Sequence, residues 1–262
     1  MMRRFRCLSF RPVILVSLTR AARAVASKSA IAFAAFFLPA AAFGVPQTLT
    51  IGSDIEFSGG QAPASATHPW ALLTIADSGA NSVVLTLTAP NLTGSENISE
   101  FYFNIDPALT MDLDHLIFSN LVKGGSFDTP TISQSEDAFK ADGDGKYDVH
   151  FSFTTGGNVS KTFTTGDSLH YTITGAGISA SSFDFLSTPA GGHGPFITAA
   201  HVQNTTGVGS GGSGWVADTT GGTIVTQSVP EPTSVALFAL GLVGMAAWGR
   251  RRVNKTSSRP CP

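Results

Sequence analysis

The residues best equipped for chemistry lie in one short run, Asp142-Gly143-Asp144-Gly145-Lys146-Tyr147-Asp148, where three carboxylates are spaced around glycines. Carboxylate oxygens at this spacing are hard ligands suited to a divalent cation, and D-x-D-G-x-x-D matches the acidic half of a calcium loop. The other half is missing. With Asp142 and Asp144 at the third and fifth ligand positions, the first falls on Lys140 and the twelfth on Phe151, neither of which ligates calcium through its side chain. Calcium held by Asp142, Asp144 and Asp148 is one expectation. The other is a hairpin turn in which Asp and Gly serve the backbone. No further cofactor is implied.

Other reactive side chains are scattered. The six histidines, His68, His115, His150, His170, His193 and His201, form no H-x-H or H-x-x-x-H pair, the spacings that put two imidazoles on one strand or helix face. His150 and His170 fall on the polar side of alternating runs, where solvent exposure is the simplest expectation; His193 and His201, eight residues apart, have the chance to converge. Gly209-Ser210-Gly211-Gly212-Ser213-Gly214 spells G-x-G-x-x-G, but a dinucleotide site needs it between a strand and a helix. Its surroundings, residues 204–214, have the composition of a flexible loop. Neither a G-x-S-x-G elbow nor an H-E-x-x-H motif occurs, so a non-enzymatic role is expected.

The elements that carry these residues read as strands. Val83, Leu85 and Leu87, then Phe101, Phe103 and Ile105, then Val149, Phe151 and Phe153, and Leu169, Tyr171 and Ile173 each recur at period two between polar neighbours. Glycine and asparagine clusters separate them, a last strand is expected at residues 223–226, and no stretch repeats at helical spacing. The expectation is all-β: an antiparallel β-sandwich, Greek-key or jelly-roll-like, on a phenylalanine-rich core.

The ends have a different character. Residues 3–28 carry six arginines and a lysine without an acid, residues 30–38 (AIAFAAFFL) are apolar, and small residues follow to Gly44. That is the n-region, h-region and cleavage site of a signal peptide with a long basic start, cut after Ala42 or Gly44. At the other end Pro230-Glu231-Pro232 precedes an uncharged apolar run at residues 233–249, closed by Arg250, Arg251 and Arg252. The arginines predict a cytoplasmic C-terminus, and the run is a short, marginal span. The two prolines keep the chain around Glu231 extended, the form a protease grips.

Pro-Glu-Pro, a short hydrophobic helix and an arginine cluster together resemble the PEP-CTERM sorting signal of Gram-negative bacteria. In that family the signal is recognised by an exosortase, a membrane-embedded cysteine protease-transpeptidase, and the proteins go with extracellular polysaccharide and biofilm production. Residues 139–148, Ser182-Phe183-Asp184-Phe185, residues 199–203 (AAHVQ) and Ser213-Gly214-Trp215 are similar to the bodies of many PEP-CTERM proteins, a resemblance that brings no activity with it. The organisation implied is a signal peptide at residues 1–44, an all-β ectodomain at 45–228, the sorting signal with its transmembrane helix at 229–253, and a cytoplasmic tail at 254–262.

Removing the ends changes the charge. The whole chain carries −2, yet residues 45–229 hold seventeen acids against four bases, Lys123, Lys140, Lys146 and Lys161. Such a surface repels nucleic-acid phosphates and excludes that partner. Both cysteines, Cys7 and Cys261, also lie outside the body, which therefore forms no disulfide. The partners expected are the secretion translocon, the exosortase and extracellular polysaccharide, with transient membrane anchoring before delivery to the surface. The function expected is a surface or matrix-associated structural protein. The alternative is a carbohydrate-binding module stacking sugars on Trp70, Tyr102 or Trp215.

Overall fold

The structure is a computed structural model. It describes residues 45–218 apart from 110–112, 114 and 157, then 221–227, and Gly241, Leu242 and Met245. The predicted signal peptide, the Pro-Glu-Pro triplet, the arginine cluster and most of the apolar run lie outside these residues. Among the described residues no helix is long and apolar enough to cross a membrane.

Strands follow where side chains alternate. They are β1 (Gln47–Ser53), β2 (Ile55–Glu56), β3 (Ala71–Gly79), β4 (Ser82–Thr88), β5 (Asn97–Phe103), β6 (Ile117–Gly124) and β7 (Thr131–Ala141). After them come β8 (Asp144–Ser152), β9 (Phe163–Thr164), β10 (Ser168–Thr174), β11 (Thr198–Gln203), β12 (Ser213–Ala217) and β13 (Thr223–Thr226). Every pairing between them is antiparallel. One sheet runs β13-β1-β3-β4-β10-β6; the other runs β2-β12-β11-β5-β8-β7, with β9 beside β5. Over residues 45–227 the described chain is all-β with two antiparallel sheets, the expected class.

The core forms between the facing sheets. Leu49, Ile51, Leu73, Ile75, Val83, Leu85, Leu87, Leu169 and Ile173 from the first sheet meet Ile98, Phe101, Phe103, Val149, Phe151, Val202 and Val216 from the second, all nearly free of solvent. Phenylalanines interlock edge to face, Phe127 on Phe163 at 4.7 Å and Phe103 on Phe151 at 5.6 Å, the geometry that places a ring's positive edge on a negative face.

The second sheet departs from simple alternation. Tyr102 and Asn104, which alternate with the core residues Phe101, Phe103 and Ile105, are only 5% and 3% exposed. The outer face of this sheet carries its own apolar cluster, in which Phe57, Tyr102, Ala141, Tyr147, Ala199 and Ala217 are buried beside Phe139, Phe196 and Trp215. His150 shares this cover, so its expected exposure is corrected: its side chain is 17% exposed. Period two marks the two faces of a strand; it does not say that only one is covered.

The expected flexible loop at residues 204–214 is likewise corrected. It is the connection between β11 and β12, bonded to the β2–β3 loop through Ala62 N–H to Val208 O (2.8 Å), Gly207 N–H to Ala62 O (3.1 Å) and Gly212 N–H to Gln61 Oε1 (2.9 Å). The glycines permit the approach of two backbones. A Cβ on Gly209, where φ is +112°, would lie 2.1 Å from Gly60 O.

Candidate functional site

The three carboxylates of the acidic run do not converge. Asp142 and Gly143 form the two-residue connection of the β7–β8 hairpin, both at positive φ (53° and 81°), as a type I′ turn requires. Asp142 is exposed there. Asp144 is turned to the 191–193 loop, accepting from Gly192 N–H, from His193 N–H at 3.1 Å and pairing with His193 Nδ1 at 2.8 Å. Asp148 points elsewhere, taking Ile105 N–H at 3.0 Å and Asp137 N–H at 2.9 Å. Backbone donors and the His193 ring occupy the oxygens of Asp144 and Asp148 that a cation would need. Among the described residues no group of three or more His, Cys, Asp or Glu side chains is arranged to hold a metal ion.

Other acids repeat this use. Asp77 accepts from Gln47 and Ala180, Glu96 from Ala64 and Thr93, Glu56 from Ser58 and Gly60, and Asp218 from Ile197 and Thr198, at 2.6–3.1 Å. Carboxylates thus hold loops whose N–H groups lie outside the ladders, a task backbone polar groups impose on any irregular segment. Much of the acidity expected to face solvent or cations is internal scaffolding. Burial is the leading influence on Asp148 and Asp218 and pushes both carboxyls up despite the N–H donors that oppose it. At Asp144 burial also acts upward, but the His193 side-chain bond and the N–H groups of His193 and Gly192 outweigh it, and the carboxyl is held below its usual range.

One face does gather chemistry. On the outer side of the second sheet, strand register sets Trp215 opposite His201, His201 opposite Glu100, and Tyr102 opposite His150. Directly opposed side chains touch: Trp215 and His201 stack at 4.5 Å and 11°, and Tyr102 and His150 at 4.5 Å and 9°. Glu100 lies between the stacks, Oε1 3.7 Å from His150 Nε2 and Oε2 3.9 Å from His201 Nδ1, and accepts the Tyr102 hydroxyl. Its side chain is 32% exposed and that of His201 20%, so the strip opens to solvent at this end. Burial lowers both imidazoles, against the upward pull of Glu100, and so disfavours their charged forms. Burial first and Glu100 second push the Tyr102 phenol far up. The result is two flat aromatic stacks around one carboxylate, able to accept hydrogen bonds and to stack.

Several predicted candidates fall elsewhere. Trp70 is 5% exposed and its indole N–H donates to Ser65 O at 2.9 Å, so neither it nor Tyr102 is the exposed platform expected. His170 faces Thr86 Oγ1 at 2.8 Å. His193 and His201 have different partners, Asp144 and the Trp215–Glu100 strip. Glu100 itself escaped sequence reasoning. Its parity with Tyr102 on β5 was visible, but the histidines beside it come from β8 and β11, which only register identifies. A cleft of about 50 Å³ beside Asp148 is small for an organic substrate. A shallow groove of about 420 Å³ is lined by Ser126, Ser160, Thr162, Thr164 and Asp167.

The tail begins where the fold ends. β13 pairs with β1 from Thr50↔Thr223 to Gln47↔Thr226, and Gln227 N–H donates to Pro46 O at 2.9 Å. Residues 228–252, the next in the chain, match the PEP-CTERM protein-sorting motif. That span contains Pro230, Glu231, Pro232, Arg250, Arg251 and Arg252. No curated protein and no solved structure matches the chain. The chain therefore carries a PEP-CTERM protein-sorting motif, the signal that implies export and processing by an exosortase.

Proposed function

We propose that this protein is a structural component of the cell surface or its matrix, associated with extracellular polysaccharide and without catalytic activity of its own. A signal peptide at residues 1–44 starts export, and the apolar run holds the chain in the inner membrane with its C-terminus cytoplasmic. Exosortase then cuts near Pro230 and releases the sandwich outward. The observation that carries this reading is the sorting motif at residues 228–252, directly after a closed, cysteine-free body. The body fits a structural part: its acids tie loops through backbone N–H groups. Expressing the full chain with and without residues 229–262 in a host that has an exosortase tests it. Surface display of the full chain only is expected; equal display of both forms would sink the sorting claim.

A second reading, carbohydrate binding, is favoured by the Trp215–His201–Glu100 strip. Neutral sugars present apolar ring faces to aromatic planes and hydroxyls to acceptors such as Glu100. A glycan array with the purified body and its Trp215→Ala form tests this reading. It expects binding that falls at least ~10-fold on substitution, the loss of one stacked ring; binding unchanged by the substitution contradicts it.

A further inference from the structure

The sorting motif starts one residue after the last backbone bond of the sandwich, that of Gln227 to Pro46. While β13 is zipped to β1, Pro230 lies three residue steps beyond Gln227, a reach of roughly 10 Å at about 3.5 Å per extended residue. An enzyme that acts at the membrane and cuts near Pro230 would have at most that length of chain between its site and the folded sandwich.

The strand that sets the distance is weakly held. All four residues of β13 are exposed, with Ile224 at 38% and Val225 at 55%. β13 is an edge strand, and β1 keeps its other partner, β3, and its core residues Leu49 and Ile51 without it. The next fixed point upstream is Gly222. Its N–H donates to Asp184 Oδ1 at 3.2 Å, and a Cβ there would lie 2.2 Å from Leu49 Cδ1. Unzipping back to Gly222 puts Pro230 eight residue steps away, a reach of roughly 28 Å. The apolar side chains the change uncovers are Ile224 and Val225, both already exposed in part.

We propose that β13 is a release strap: zipped to β1 it shortens the chain between the sandwich and the sorting signal, and it must unzip for exosortase to engage Pro230-Glu231-Pro232. The proposal rests on the exosortase reading above. It assigns to β13 a part in processing that the motif itself does not contain, and it makes processing depend on a local opening of the fold.

A disulfide across the strap tests it. Because Gln227 bonds Pro46, the pairs alternate so that Gln47 and Thr226 face each other at a site without ladder bonds, where side chains approach most closely. The body has no cysteine of its own. The full-length Gln47→Cys/Thr226→Cys double variant is expressed with an exosortase, and its C-terminus is followed by mass. Processing of the oxidised form should fall by ~10-fold or more, as removal of the only competent state requires. Reduction, or either single variant, should restore it. Val225→Pro, which removes the N–H facing Thr48, should be processed at least as fast as wild type. Processing of the oxidised form at the wild-type rate overturns the strap, as does a block in Val225→Pro. An unprocessed wild type overturns the strap and the exosortase reading together.

Discussion

At the scale of single residues, the body is organised by where its carboxylates go. The spacing of Asp142, Asp144 and Asp148 was legible, and so was the turn they accompany. Their destinations were not, because the N–H donors lie 48 and 49 residues from Asp144, and 43 and 11 from Asp148. Asp218 shows what such a group does to stability. Its folded-state carboxyl lies above the ordinary aspartate value of 3.8, chiefly through burial. A raised folded pKa gives stability that is fully present below pH 3.8 and is lost as pH rises through the folded value. Asp218→Asn removes this titration, so its unfolding free energy should depend less on pH above 3.8 than that of wild type. Asp218→Ala strands two buried N–H groups and should cost about 2–4 kcal/mol at neutral pH. Urea melts between pH 4 and 7 measure both. A wild-type pH dependence in Asp218→Asn would contradict the assignment.

At the scale of elements, strands were easier to read than loops. The runs at Val83, Val149, Leu169 and Thr223 correspond to β4, β8, β10 and β13, since alternation is written locally in side-chain type. The covered outer face was hidden: Tyr102 and His150 look like polar-side residues until loop residues such as Phe57 and Phe196 are laid over their sheet. The 204–214 loop was misread for a related reason. Glycine-rich composition describes a flexible linker and a close backbone approach equally well, and the neighbour that decides between them, residues 60–63, is some 150 positions away. Gly209→Ala tests the built loop. The added methyl meets Gly60 O at a φ that L-residues rarely adopt, so the midpoint of thermal unfolding should fall, with a loss of about 2–4 kcal/mol. Calorimetry that finds no shift would restore the flexible linker.

At the scale of the whole molecule, class was legible and order was not. Short alternating strands without helical repeats predict two antiparallel sheets. The order β13-β1-β3-β4-β10-β6 is set by long-range ladders whose backbone groups are alike in every strand. The tail has the reverse character. Its motif is visible in residue order alone, while the strap that leads into it emerges only from the pairing of Gln47 with Thr226. Fold and address therefore meet at one sheet edge, and the central claim concerns what happens there. The most direct measurement is the mass of the mature protein isolated from its native host. A chain ending near Pro230 and lacking residues 233–262 is the predicted result; a chain that still ends at Pro262 would contradict the account.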